Sequence, residues 1–361
     1  VRYESERKFI SSFIHSFIQS RTANQQQTKQ HQQQQEEMLK NKGFWELEKG
    51  CPLLVDMEQG FFERAGENVF ERARRWVSVV APTEEDFAWD EHKQSESGNN
   101  GVEGGSGGGI THLFKMDAQR TFSDEATRLK LAKFLTFVKS QFGDYAQGLG
   151  FLSSVLLLVL DESHAYAVLS AVNRREKYVP GYWKHEAVSF ATDAYVFGWL
   201  LERQKPALAK KLMDNCMLPE MYTQKWFVGL CVHLLPFEQL FDFLDRFFEQ
   251  GFRFLFQFAL SLMNHLEPQL MGAKDVSGIL GMLRLEKQYL KEPLDLKAVI
   301  AESSMYDVDT GIDYTTLRKE LYDKHLRARM ERAQAMKKQA EEEEEEEDDD
   351  FSDSEEGDDD E

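Results

Sequence analysis

Apolar residues along this 361-residue chain recur at three- and four-residue intervals, the repeat of helices that each bury one face. Alternating, strand-like runs are hard to find, and proline is scarce, with eight in the whole chain. The pattern predicts an all-α protein. Phe9, Ile10, Phe13, Phe17 and Ile18 make a stripe near the start. Such a stripe packs on its own domain or a partner helix, or lies on a membrane surface. Mixed helical patterns fill 43–80, including "FFERAGENVFERARRWVSVV". From Ile110 to about Leu270 the chain is densely apolar. Two runs are apolar on most faces, Leu149–Leu160 and Phe252–Met263. The first is twelve residues long and stops at Asp161, short of the roughly 20 residues that cross a bilayer, so it predicts a buried helix. Shorter, more polar helices follow Gly272, and Thr315 to about Ala340 reads as a solvated helix.

The breaks in this pattern set the organisation. Gln25–Gln35 is a glutamine-rich spacer, and Ser95–Gly109 holds seven glycines without a GKS or GKT, so it is a linker rather than a phosphate loop. The expected division is 1–42 for the terminal helix and spacer and 43–300 for the main domain, with 95–109 inserted. Residues 301–340 form C-terminal helices and 341–361 a disordered tail. Charge changes the picture only here. Seventeen of the last twenty-one residues are acidic, so a net charge of −20 leaves about −3 for everything else. The tail repels itself, and no basic stripe marks a nucleic-acid surface. Twenty-seven Phe, eleven Tyr and six Trp supply an aromatic interior. Three widely spaced cysteines form no metal-binding pattern and fit a reducing compartment. The first residue is Val1, so a missing targeting signal carries little weight.

Candidate chemistry sits in two short motifs. "DAQRTF", Asp117–Phe122, places one Arg in a polar turn, and "YAQGLGF", Tyr145–Phe151, places a Gln beside a Gly. With Phe114, Asp117 and Arg120 in place, the first resembles the IxxDxxRTFP motif of TBC-domain proteins, the GTPase-activating proteins of Rab-type small GTPases. The second is similar to that family's YxQG motif, matched by Tyr145, Gln147 and Gly148. Downstream, "LLERQKPALAKKL" (Leu200–Leu212) fits the family, as do Trp226, Leu235, Pro236, Asp245 and Gly251 within Gln224–Leu260. The departures are Ser123 for the usual Pro, Leu244 for a Trp, and only a loose early match in "RARRW", Arg72–Trp76.

The resemblance implies a multi-helix TBC domain that speeds GTP hydrolysis on a Rab partner by inserting Arg120 and Gln147 in trans. An Arg is planar and always charged, and it bridges phosphate oxygens; a neutral amide orients the attacking water. By the same resemblance Asp117 holds the turn presenting Arg120, Tyr145 braces the Gln segment, and Gly148 lets backbone approach the partner. GTP and Mg²⁺ belong to that partner, so no cofactor and no hydrolytic activity of its own are expected here. The expected setting is vesicle trafficking, in the cytoplasm and peripheral on endomembranes. The competing reading is a non-catalytic TBC-fold docking or scaffold module.

One geometric conflict remains, between the local capping signal and the resemblance. Ser123 and Asp124 suit a cap for a helix starting at once, which would be about 30 Å long to Gln141 and would hold Arg120 far from Gln147. For the two to meet, 121–126 would run extended, covering up to ~20 Å, with the helix starting near Thr127, and the resemblance tips the expectation toward this extended form.

Overall fold

The computed structural model describes residues 61–81, 83, 112–122, 125–145, 147–184, 187–232, 234–336 and 339, without the side chains of 61–68 and 147. The terminal stripe, the Gln tract, the glycine-rich insertion and the acidic tail lie outside these residues. Helices run α1 Phe61–Val80, α2 His112–Thr121, α3 Glu125–Phe142, α4 Gln147–Val159, α5 Glu162–Arg174, α6 Val188–Gln204, α7 Pro206–Asp214, α8 Pro219–Phe227, α9 Phe237–Gln250, α10 Phe252–Met271, α11 Val276–Leu283, α12 Leu296–Glu302 and α13 Tyr314–His325. A 3₁₀ turn, Ser303–Met305, follows α12, and the described residues contain no strand. They form two compact units, one holding α1–α5 and α9, the other α6–α8 and α10–α13.

In the first unit, α1 turns Val69, Phe70, Ala73, Trp76, Val77 and Val80 inward, a stripe at i, i+3, i+4 and i+7 that packs on α5 and α9. The loose "RARRW" match acquires a physical meaning here. Arg72 Nε donates to Asp245 Oδ2 at 2.8 Å and its Nη2 to Asp242 Oδ1 at 2.7 Å; Trp76 Nε1 donates to Asp245 Oδ1 at 2.5 Å. Asp245 is the acidic residue singled out in the late motif, and the two segments are joined by its carboxylate. After α9 comes Gly251, at φ +74°, where a Cβ would stand 1.9 Å from the Lys177 carbonyl oxygen. Only glycine takes that conformation at that approach. Tyr178 Oη reaches the Phe248 carbonyl nearby, at 2.9 Å. The apolar run at Leu149–Leu160 is α4 and its end, with Leu149, Leu152, Val155 and Leu156 fully buried. No described helix is long and apolar enough to cross a membrane.

The second unit is built on rings. Phe197 of α6 meets Tyr222, Trp226 and Phe227 of α8 edge-on, with centroids 5.8–6.4 Å apart. Trp226 Nε1 donates to the Leu283 carbonyl and Trp183 Nε1 to that of Val228, both at 3.1 Å. The helix expected to be solvated from Thr315 is not so at its start. Tyr314, Leu321 and Leu326 are buried, α13 packs on α6, and Arg318 grips the buried Asp193. Three apolar residues spread among charges are enough to dock a helix when one of its arginines finds a buried carboxylate. Beyond Leu326 most residues are exposed.

Candidate functional site

Helix α2 is amphipathic over three turns. Phe114, Asp117, Ala118 and Thr121 are buried, whereas Leu113, Lys115, Gln119 and Arg120 face solvent. A carboxylate on the inward face is unusual, and its partners explain it. Asp117 Oδ2 accepts from Tyr145 Oη at 2.8 Å, and Oδ1 lies 3.6 Å from Arg120 Nη1. Burial first, then the charge of Asp117 and its bond, push the Tyr145 hydroxyl far above its ordinary range, so it stays a donor. The Tyr145 ring stands edge-on to Phe114, centroids 4.8 Å apart.

Arg120 occupies the last turn of α2, where a cation complements the carbonyl end of the helix. Its side chain is 59% exposed, and among the described residues its guanidinium meets one carboxylate, at a distance beyond a hydrogen bond. Thr121 and Phe122 close the helix behind it. Thr121 Oγ1 donates to the Asp117 carbonyl at 2.7 Å, and the Phe122 amide reaches Ala118 at 2.9 Å. The Phe122 ring is buried, and Arg128 Nε donates to its carbonyl.

The expected extended segment over 121–126 is corrected. Arg120 and Thr121 are helical, and α3 starts at Glu125, two residues before Thr127, as the immediate-helix reading required. Ser123 and Asp124 lie outside the described residues. Arg120 is nonetheless brought toward the Gln147 segment by another route. Helix α2 packs along α3 and touches α4, so Asp117 reaches Tyr145, which precedes Gln147 by two residues. Gln147 opens α4; its side chain is outside the described set. Asp117 thus meets both Arg120 and Tyr145, and the two supporting residues bond each other. Gly148 is buried in the first turn of α4.

Sequence reasoning missed Gly150 and Arg128. A Cβ at Gly150 would lie 2.7 Å from Tyr145 Oη; the signal was the second glycine of "QGLG". Among the described residues no cluster of His, Cys, Asp and Glu could hold a metal.

An all-α domain that presents an exposed arginine beside a YxQG segment defines a recognisable class. The family profile described as Rab-GTPase-TBC domain matches residues 87–271: the chain belongs to the RabGAP-TBC family. It is similar to growth hormone-regulated TBC protein 1 of Xenopus laevis, 27% identical over 190 residues, 49% of this chain and 55% of that protein. It is also similar to GTPase-activating protein gyp2 of Schizosaccharomyces pombe, 30% identical over 140 residues, 39% of this chain and 19% of that protein. The chain therefore spans about half of the first relative's length and a fifth of the second's. Among solved structures, the Chlamydomonas flagellar RabGAP TBC domain superposes with a TM-score of 0.52 at 17% identity, covering 69% of this chain and 85% of that one, a likeness of fold.

Proposed function

We propose that this protein is a GTPase-activating protein for a Rab-type small GTPase, supplying Arg120 and Gln147 to the partner's nucleotide site. The observation that carries the reading is Arg120 itself, an exposed guanidinium at the family's motif position, leashed among the described residues at 3.6 Å by Asp117. Asp117 in turn is bonded to the residue two places before Gln147.

The chemistry follows from charge. In GTP hydrolysis water attacks the γ-phosphoryl group, GDP departs, and negative charge on the transferring oxygens limits the rate. The Arg120 guanidinium neutralises that charge and the Gln147 amide orients the water, while GTP and Mg²⁺ stay with the partner. An arginine supplied in this way is worth about 10³–10⁵ in rate. The cellular setting that goes with it is regulation of vesicle trafficking, in the cytoplasm at endomembrane surfaces.

The test is single-turnover GTP hydrolysis across a panel of Rab proteins with wild type, Arg120→Ala and Gln147→Ala. The expected result is stimulation of at least one Rab, lost by about 10³-fold in Arg120→Ala with Rab binding retained. A Rab lacking its own switch glutamine is still accelerated. Binding without stimulation, equal in wild type and Arg120→Ala, would sink the catalytic reading and leave a docking module.

A further inference from the structure

Gly150 lies in the second turn of α4 and is buried, where alanine would favour the helix more. The space around it explains the exception. A Cβ built there stands 2.7 Å from Tyr145 Oη, but 3.8 Å from Leu135 Cδ1 and 3.9 Å from Tyr145 Cζ. Only the phenol oxygen is in conflict; the other two distances are ordinary contacts.

That oxygen has little room to withdraw. It donates to Asp117 at 2.8 Å, and its ring is pinned edge-on against Phe114. The Tyr145 amide is tied to Asp144 Oδ1 at 2.8 Å. Retreat from a side chain at position 150 means leaving Asp117. Helix α2 carries Asp117 and Arg120, and α4 carries Gln147 and Gly150. Resting on the roles proposed above for Arg120 and Gln147, we infer that Gly150 is a positioning residue: its missing side chain is the seat of the Tyr145 hydroxyl, which sets the spacing of the two helices that bear the catalytic groups.

Misplacement of a reacting group by about 1 Å costs up to ~10²-fold, so the effect belongs in the maximal rate rather than in Rab affinity. The experiment compares wild type, Gly150→Ala, Tyr145→Phe and the double variant. It reads the single-turnover rate with saturating protein on a responsive Rab, the Kd for that Rab loaded with a non-hydrolysable GTP analogue, and thermal unfolding. Gly150→Ala is expected to lower the rate by about tenfold or more and to leave Kd within about twofold. In the Tyr145→Phe background it has no further effect, because the oxygen in conflict is gone.

A wild-type rate for Gly150→Ala, or the same loss in both backgrounds, would overturn the inference while leaving the proposed activity intact. If wild type accelerates no Rab, the activity fails on its own account, and unfolding of the same four chains still decides the geometry. Coupling between positions 145 and 150, including a Gly150→Ala chain that folds only when Tyr145 is Phe, supports it; additive changes overturn it.

Discussion

The two units each hold an aspartate, a tyrosine and an arginine in contact, and they use them differently. In the second unit Asp193 is buried at 3% exposure, accepts from Tyr182 Oη at 2.6 Å, and receives both Nε and Nη2 of Arg318 at 2.6 and 2.9 Å. The guanidinium also lies 4.6 Å from the Phe252 ring centroid. Burial opposes the charge on Arg318, yet Asp193 more than offsets it and its pKa is raised. In the first unit Asp117 and Tyr145 are bonded at 2.8 Å, but Arg120 stays 3.6 Å away and faces solvent. The same residue types make a clamp in one place and a leash in the other. A clamped arginine has committed donors to its own chain; Arg120 meets no acceptor within hydrogen-bond distance among the described residues, as its proposed role requires.

The sharpest way to break this comparison is to replace each arginine by lysine. Arg120→Lys is expected to lose stimulation almost as fully as alanine does, by about 10³-fold or ~4 kcal/mol of barrier, because a point charge lacks the planar fork. Its unfolding stays within about 0.5 kcal/mol of wild type, as for an exposed side chain. Arg318→Lys keeps the wild-type rate. A rate loss of equal size in both variants would erase the distinction.

Stability should respond in the opposite sense. Arg318→Ala leaves the Asp193 carboxylate buried with, among the described residues, Tyr182 as its side-chain partner, at an expected cost of about 3 kcal/mol. Hydrogen exchange localises it: protection is lost over residues 314–326 first, where α13 docks. Unchanged exchange there would mean that Tyr314, Leu321 and Leu326 hold the helix unaided.

Neither cluster was legible as a cluster. The helical period announced the all-α architecture, and two motifs picked out Arg120, Asp117, Tyr145 and Gln147, because repeat spacing and residue order are properties of the chain itself. The contacts that give those residues their work join positions 28 apart for Asp117–Tyr145, 125 apart for Asp193–Arg318 and 169 apart for Trp76–Asp245. No spacing rule links such partners. The sequence presents α2 as a polar turn for a related reason. Its inward carboxylate interrupts the apolar stripe, and only the tyrosine bond makes Asp117 a buried-face residue. Gly150 stands out in the chain as the second glycine of "QGLG", and the reason for it appears with the atom it accommodates.

Asp117→Asn sharpens the leash itself. The amide oxygen still accepts from Tyr145, while the charge facing Arg120 disappears. The guanidinium is solvated and no hydrogen bond joins it to Asp117 at 3.6 Å, so the pair is weak and chemical denaturation is expected to change by less than about 1 kcal/mol. Asp193→Asn, which takes the charge from the buried end of a bidentate pair with the half-buried Arg318, costs at least twice as much. Equal costs at the two positions would mean that Arg120 is held as tightly as Arg318, against its exposure.

A third aspartate offers a cation whose presence depends on pH. His164 sits in the first turn of α5, and its Nδ1 lies 2.7 Å from both oxygens of Asp161, the residue that also caps the helix through the His164 amide. The hydrogen bond to Asp161, helped by its charge, outweighs burial, and the His164 pKa is raised above 6.5. A raised folded-state value means stabilisation that is full below the unfolded pKa of 6.5 and is lost as pH climbs through the folded value. Urea unfolding of wild type and His164→Gln at pH 6 and pH 8.5 isolates this contribution from that of the other histidines. Wild type should exceed the variant at the lower pH and converge on it at the higher. With the imidazole 45% exposed the gap is the smallest of these effects. A gap that grows with pH would mean that Asp161 holds the neutral ring, and that the pair is neither clamp nor leash.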